Sequence, residues 1–264
     1  NYLFKMIPSN INVLKFVYRA LLTGLPIITY NPITKFNFLA PLVVEPYSTY
    51  LNFKLNSTQT NSMKEYLNNF NSDLEIVPIS IIPEEEPSNY LSVNIYNCSS
   101  PAFMSDKEIS RCEINTYVKD KKGNYGTLII DYLCSDLSMD PVNIFKVPSN
   151  IDFKMNDIYN CINCNSKLDQ VNLKLNYTQF QDIEFEIDDD LIKYTDNVYY
   201  KNGIIDKVYY DNSLVNPELR SPSLFFNFTF NYRDLQFDKI DSIFYFKNPL
   251  KFVGSMWDNI YEIN

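Results

Sequence analysis

The chain has 264 residues, of which 45% are hydrophobic, and a formal net charge of −9. Its length fits one large domain or two small ones, and its apolar fraction is too high for a disordered acidic protein. Because the charge is acidic and no basic block occurs, the chain lacks the clustered lysines and arginines that bind phosphate backbones. We therefore expect no nucleic-acid partner.

Two amino acids are scarce enough to exclude whole classes of active site. The chain has 0 histidines, so serine–histidine and cysteine–histidine nucleophilic sites and imidazole zinc sites are impossible within it. Its 5 glycines are too widely spaced for a dinucleotide fingerprint or a phosphate loop. We expect neither a cofactor nor a metal, and any catalysis must use carboxylates, lysine, tyrosine, cysteine or a partner.

The first pattern in chain order is the apolar stretch from Ile11 to Ile28. It predicts a helix docked on the body of the protein, ended by Gly24 and Pro26. Lys15 and Arg19 interrupt the stretch, so we expect no transmembrane segment. We expect a cytoplasmic protein; a secreted or lumenal location stays open because an upstream segment could have been removed.

Alternation of apolar and polar residues, the period of a half-buried strand, dominates the chain after Pro26. Helices are predicted only at Thr60–Phe70 and in a short segment after Asp140. Strands are predicted at Tyr47–Asn56, Leu74–Ile82 with a break at Pro78, Tyr90–Cys98, Arg111–Asp120, Tyr125–Cys134, Val171–Tyr177, Ile183–Ile187, Val198–Lys201, Ile204–Tyr210, Leu224–Arg233 and Phe244–Phe252. We predict a mainly β, single domain over residues 1–264, with a helical or extended arm over residues 1–45. Closure into an antiparallel barrel, complete or nearly so, would remove the exposed edges of so many strands.

The clearest hairpin runs from Arg111 to Cys134 around a turn at Gly123. One face of its outgoing strand carries small and apolar side chains: Cys112, Ile114, Thr116 and Val118. The other face carries a polar row: Arg111, Glu113, Asn115 and Tyr117. If the apolar face packs under the N-terminal helix, the polar row points into the barrel, where Arg111 and Glu113 would need each other's charge. The alternative is that this row is solvated.

The chain has 5 cysteines, an odd number that does not indicate a disulfide framework. Cys161 and Cys164 form a CxxC motif in an asparagine-rich stretch. The composition predicts a loop with ordinary thiols there, and a local disulfide or metal contact is the alternative.

The order of these segments resembles that of the acetoacetate decarboxylase-like superfamily. The resemblance rests on Tyr50-Leu-Asn-Phe-Lys-Leu-Asn56, the helix near Ser62 to Leu67, Leu74-Glu-Ile-Val-Pro-Ile79, the hairpin strands Glu113–Gly123 and Tyr125–Leu133, and Asp140-Pro-Val-Asn-Ile-Phe145. It covers roughly residues 45 to 155 and implies a β-barrel that binds a small organic ligand, a keto acid or an apolar molecule, with a possible homo-oligomer.

The chemistry of that family uses a lysine that forms a Schiff base with a β-keto acid, and a second lysine that lowers its pKa. The resemblance implies that Ser149 and Asn150 stand where these two lysines would be, and neither can form an imine. It also implies that the family's cavity arginine falls near Asn56 and its glutamate near Ile109. The chain is therefore expected to be a divergent member without the lysine pair.

Three functions stay open at this point. The first is a binding barrel without decarboxylation, whose ligand contacts are Asn115, Tyr117, Asn56, Ser149 and Asn150. The second is a carbon–carbon lyase that uses Lys146 or Lys154, or Arg111 with Glu113 as polariser and acid/base. The third is a structural or recognition protein whose aromatic surface makes protein contacts.

Overall fold

The computed structural model describes most of the chain after residue 38. The described residues are 39–70, 73–82, 85–99, 108–136, 148–155, 160–167, 170–183, 194, 197–200, 203–210, 218–247 and 250–256. The predicted N-terminal helix, the short helix after Asp140, Lys146 and the strand after Ile183 lie outside these ranges.

The described residues form fifteen strands and one helix, which confirms the predicted mainly β class. The helix, α1, spans Ser57–Phe70. The strands are β1 Leu39–Val44, β2 Ser48–Lys54, β3 Leu74–Ile76, β4 Tyr90–Ser99, β5 Ile109–Asp120, β6 Tyr125–Cys134, β7 Asn150–Met155, β8 Asn160–Ser166, β9 Val171–Ile183, β10 Asn197–Tyr200, β11 Gly203–Tyr210, β12 Glu218–Tyr232, β13 Leu235–Phe237, β14 Ser242–Phe246 and β15 Leu250–Met256. All fifteen strands belong to one hydrogen-bonded sheet.

Helix α1 begins earlier than the sequence pattern predicts because Asn56 caps it. The Asn56 Oδ1 atom accepts from the Gln59 amide at 2.9 Å, and the Gln59 side chain accepts from the Asn56 amide at 3.0 Å. This reciprocal pair satisfies amides that would otherwise lack a partner at the first turn. The helix then buries Met63 and Leu67 against the sheet.

The sheet branches at the junction between β1 and β2. Both strands lie along the edge of β4 that faces away from β5: β1 at Cys98 and Ser99, and β2 from Tyr90 to Ile95. Tyr47, in the turn between them, has a φ of 74° and donates its amide to the Phe246 carbonyl at 2.7 Å. Beyond this turn the neighbours separate, since β1 pairs with β15 and β2 pairs with β14.

One branch of the sheet returns to its starting strand. The pairings lead from β4 to β5, β6, β10, β11, β15 and β1, and β1 pairs with β4 through Val43 and Val44. The contact of β6 with β10 is parallel, and the others are antiparallel. The second branch continues from β2 through β14, β12, β9 and β8 to β7.

The main core lies on the apolar face of β2, β4, β5 and β6. Its members there include Leu51, Phe53, Val93, Ile114 and Val118, all 0% exposed. They pack with α1 and with apolar side chains of β7, β8, β9, β12 and β13. Cys112 and Ile114 thus belong to a core built with α1, and the relation of this face to the predicted N-terminal helix lies outside the described residues.

Two local predictions are wrong and a third is confirmed in part. The CxxC stretch is strand β8, not a loop; Cys164 is buried and Cys161 half-buried, and both are free thiols. The strand predicted at Leu74–Ile82 is interrupted around Pro78 as expected, but β3 already ends at Ile76, and only an isolated bridge at Ile79 follows. The strand predicted at Phe244–Phe252 is two strands, because the chain leaves β14 after Phe246 and enters β15 at Leu250.

Candidate functional site

The polar row of β5 is buried. Arg111 is 5% exposed, Glu113 9%, Asn115 2% and Tyr117 9%. Successive side chains of a strand point to opposite faces, so these four share the face opposite the main core. The alternative that this row is solvated is therefore wrong.

Strand β4 supplies the matching half of the site. In the antiparallel register Tyr96 lies opposite Arg111, Asn94 opposite Glu113 and Ser92 opposite Asn115. Directly opposed residues place their side chains on the same face, with Cβ atoms about 4.5–5.5 Å apart. Asn94 is 6% exposed and Ser92 0%. We call the five polar residues Arg111, Glu113, Asn115, Asn94 and Tyr96 the inner polar site.

Glu113 is held by two side chains of β4. The Tyr96 phenol donates a hydrogen bond of 2.5 Å to Oε1, and the Asn94 Nδ2 amide donates one of 3.4 Å to Oε2. Burial raises the pKa of Tyr96 well above its ordinary value, and the Glu113 charge and hydrogen bond raise it further against the opposing effect of Arg111. Tyr96 therefore keeps its proton and acts as a donor to the buried carboxyl group.

Arg111 lies against aromatic rings at the end of the site near the start of β5. Its guanidinium carbon is 4.2 Å from the Tyr132 ring centroid and 5.6 Å from that of Tyr96. Contacts of this kind stabilise a desolvated cation. Burial raises the pKa of the neighbouring Cys98 thiol, although the charge and hydrogen bond of Arg111 work in the opposite direction. Cys98 is therefore a neutral thiol at physiological pH.

A second hydrogen-bonded group continues from the inner polar site toward β2 and β14. Ser92 Oγ donates to Asn52 Oδ1 at 2.7 Å, and Asn52 Nδ2 donates to Ser242 Oγ at 3.2 Å. The Tyr117 hydroxyl lies 3.4 Å from Ser92 Oγ. These polar groups satisfy one another, as members of a buried hydrogen-bond network must.

Among the residues that the structure describes, two amide oxygens in the site have no hydrogen-bond donor. They are Oδ1 of Asn94 and Oδ1 of Asn115, both buried. The orientation of the Asn94 amide follows from its Nδ2, which faces the Glu113 carboxyl group. A buried acceptor without a donor costs about 1–3 kcal/mol, so such atoms call for an explanation.

The site lies between two smaller apolar clusters. One contains Val44, Tyr96, Cys98, Ile109, Ile129, Tyr132 and Cys134, and the other contains Ile79, Ile81, Tyr90, Tyr117, Tyr194 and Phe244. Apolar walls around a few convergent polar groups are typical of small-molecule sites.

Several predicted site residues lie elsewhere. Asn56 is exposed and caps α1. Asn150 is exposed at the start of β7, and Lys154 on the same strand has a side chain that is 74% exposed. Ser149 is half-buried, and its amide donates to the Cys134 carbonyl at 2.8 Å, next to the end of β6 that pairs with Arg111.

Sequence reasoning missed the contribution of β4. The sequence separates Ser92, Asn94 and Tyr96 from the apolar Leu91, Val93 and Ile95, but the alternation alone does not identify the partner strand. The usable signal was the shared pattern: both β4 and β5 combine one apolar face with one face of amide, hydroxyl and charged groups.

No model of a protein family matches the chain, and no curated protein matches its sequence. The solved structures include a match: the crystal structure of acetoacetate decarboxylase from Legionella pneumophila subsp. pneumophila str. Philadelphia 1. The TM-score is 0.54 at 8% sequence identity, and the alignment covers 88% of this chain and 94% of the other. The chain has an acetoacetate decarboxylase-like fold. The likeness extends well beyond the stretch from residue 45 to residue 155 on which the sequence resemblance rests.

No helix in the described ranges is long and apolar enough to cross a membrane. Nor do the side chains described there include a group of three or more cysteine, aspartate or glutamate residues that could hold a metal ion. The expectation that the chain needs neither a metal nor a cofactor stays a prediction from the sequence.

Proposed function

We propose that this protein binds a small organic molecule at the inner polar site and does not form an imine with it. The returning branch of the sheet would enclose that site as a barrel. Support comes from the acetoacetate decarboxylase-like fold and from the burial of Arg111, Glu113 and Asn115 on one face. The single observation that carries the proposal is the pair of buried oxygens on Asn94 and Asn115, for which the described ranges contain no donor.

The lysines support the second half of the proposal. Imine formation needs an amine that is desolvated or beside another cation, so that its pKa falls. Among the lysines whose side chains the structure describes, none is buried, and Lys154 is largely exposed. Ser149 and Asn150, at the expected positions of the lysine pair, carry no amine that can react.

The first experiment tests binding. Titration calorimetry and ligand-observed NMR with a panel of keto acids, their amides and apolar ketones should identify at least one ligand. Glu113→Gln should change the affinity of that ligand with little effect on the fold. Glu75→Gln on β3 is the matched control, since Glu75 is exposed. The proposal fails if the whole panel is silent or if both variants bind as the wild type does.

The second experiment tests the chemistry. Borohydride treatment in the presence of acetoacetate or pyruvate should leave the intact mass unchanged, because no imine forms to be reduced. A covalent adduct on any lysine would refute the non-catalytic proposal.

A carbon–carbon lyase is the second candidate, and one observation favours it. Tyr96 contacts both Glu113 and Arg111, so an acid/base group and a cation that could polarise a carbonyl share one buried neighbour. Loss of a keto acid with release of carbon dioxide, abolished in Glu113→Gln but retained in Glu75→Gln, would identify this activity.

A further inference from the structure

The inner polar site contains two buried amide oxygens that no donor in the described part of the chain satisfies. The Glu113 carboxyl group accepts from Tyr96 and Asn94, while the Asn94 and Asn115 Oδ1 atoms have no donor in the described part of the chain. Asn94 and Asn115 are 6% and 2% exposed. Because both are more than nine-tenths buried, bulk water cannot freely satisfy these oxygens.

The register places the two oxygens within reach of one small molecule. Asn94 lies opposite Glu113, and Asn115 is the next residue on the same face of β5. Diagonal neighbours on one face of an antiparallel pair are about 7–8 Å apart at Cα and closer at their side chains. A ligand of a few heavy atoms with two donor hydrogens can span this distance, as can a chain of bound waters.

The charges of the site argue against an anionic ligand. Arg111 would attract the carboxylate of a keto acid, but that carboxylate would also meet Glu113 and two oxygens that repel it. A cationic ligand would meet the buried guanidinium of Arg111 instead. A neutral donor avoids both penalties, since it adds no net charge to a desolvated site.

We infer that the ligand of this site is a neutral molecule that presents at least two N–H or O–H donors, such as a primary amide, to Oδ1 of Asn94 and Oδ1 of Asn115. The inference rests on the proposed function and narrows its ligand class. It differs from the β-keto acid class that the fold suggests, because the acceptors of β4 and β5 select against the carboxylate end of such a molecule.

The test compares two compounds that differ only at one end. Acetoacetamide carries an amide with two N–H donors where acetoacetate carries a carboxylate, and the ketone ends are identical. Calorimetry on the full chain at pH 7 should show acetoacetamide binding at least about tenfold more tightly. Asn115→Leu should weaken acetoacetamide about three- to tenfold, the effect of losing one neutral hydrogen bond. Asn172→Leu, at an exposed position on β9, should leave the affinity unchanged.

Each outcome separates this inference from the proposed function. Equal or tighter binding of acetoacetate overturns the ligand class but leaves a binding protein. An amide preference that persists in both Asn115→Leu and Asn94→Leu overturns the assigned oxygens. If neither compound binds, ordered water alone satisfies the oxygens and the inference fails, whereas the proposed function fails only with the whole panel. Asn94→Leu keeps the test valid if Asn115→Leu does not fold.

Discussion

The phenol of Tyr96 on β4 donates a 2.5 Å hydrogen bond to the Glu113 carboxyl group on β5, and its ring faces Arg111 at 5.6 Å. One side chain therefore contacts both charged groups of the site. Since Tyr96 lies opposite Arg111 in the register, it reaches Glu113 diagonally across the ladder. This diagonal contact ties the two strands together on the face that carries the proposed ligand.

Removing the Tyr96 hydroxyl should destabilise the protein. Tyr96→Phe keeps the ring beside Arg111 but leaves the buried Glu113 without its shorter hydrogen bond, and bonds to charged groups contribute about 1.5–3 kcal/mol. Urea unfolding at pH 7 should show a loss of about 2 kcal/mol. Tyr47→Phe is the control, because no hydrogen bond involves the Tyr47 hydroxyl within the described ranges. Equal losses in the two variants would show that the Glu113 bond contributes nothing specific.

Asn115→Leu should have the opposite effect on stability. Leucine has the same number of side-chain heavy atoms and the same branching as asparagine. It removes a buried oxygen for which the described ranges contain no donor, a cost of about 1–3 kcal/mol in the folded state. The free energy of unfolding of the unliganded protein should therefore stay constant or rise by about 1 kcal/mol. A clear loss would mean that a donor, such as ordered water, satisfies this oxygen. The control is Asn52→Leu, which should destabilise because Asn52 bonds with Ser92 and Ser242.

The sequence predicted the parts of the fold that depend on local alternation. The β5–β6 hairpin has its turn at Gly123, with φ of 90°, and its strands end at Asp120 and begin at Tyr125 as the pattern indicates. The predicted start of β4 at Tyr90 is also confirmed. In β4 and β5 one face is apolar and the other polar, so the period of 2 identifies both the strand and its apolar face.

The sequence could not predict which strands become neighbours or where both faces are buried. β8 carries asparagine at several positions, and its strand character depends on pairing with β7 and β9. The branch at Tyr47 depends on a positive φ in a residue that rarely adopts one. The sequence pattern identified Arg111 and Glu113 as neighbours on one face of β5. It did not identify Asn94 and Tyr96, which join them only through the register of β4.

Gly126→Ala should weaken the contact between β6 and β10. A Cβ atom at Gly126 would lie 2.3 Å from the Asn197 carbonyl oxygen, a backbone atom that cannot move without shifting β10. We expect a loss of about 2–3 kcal/mol from this overpacking. Gly123→Ala is the comparison, because it meets no atom within 4 Å but requires a φ of +90°. It should cost about 1 kcal/mol, and an equal or larger cost there would contradict the role of the β6–β10 contact.

Arg233 connects β6, β12 and α1, and its removal should loosen all three. Its guanidinium contacts Asp131 at 2.9 Å and donates to the Tyr66 hydroxyl at 2.8 Å, and its Nε donates to the Tyr232 hydroxyl at 3.0 Å. The Arg233 side chain is 31% exposed, so solvent screens part of the effect, and we expect Arg233→Met to cost about 1–2 kcal/mol. Lys121→Met removes a cation whose side chain is 70% exposed and should cost less than about 0.5 kcal/mol. Similar losses would show that the Arg233 contacts are as weak as surface pairs.

The stability of the protein should fall steeply at alkaline pH. Burial raises the pKa of five tyrosines and one cysteine: Tyr66, Tyr90, Tyr96, Tyr117, Tyr232 and Cys98. In the unfolded chain these groups lose their protons near pH 8.5 for cysteine and about 10 for tyrosine. The folded state keeps these protons to higher pH, so above those values the unfolded chain binds fewer of them and the free energy of unfolding decreases with pH.

Below about pH 8.5 these groups are protonated in both states, so the free energy of unfolding does not depend on them. Above its unfolded pKa, each group lowers the free energy of unfolding by about 1.4 kcal/mol per pH unit. Urea unfolding followed by far-ultraviolet circular dichroism at pH 7, 9, 10 and 11 measures this slope. Tyr96→Phe deletes one titrating group. Between pH 10 and 11 it should make the fall in the free energy of unfolding shallower by about 1.4 kcal/mol per pH unit, the contribution of one proton. A free energy of unfolding that stays constant up to pH 11 would mean that these groups are hydrated in the folded state, which would also remove the dry environment that the inner polar site requires.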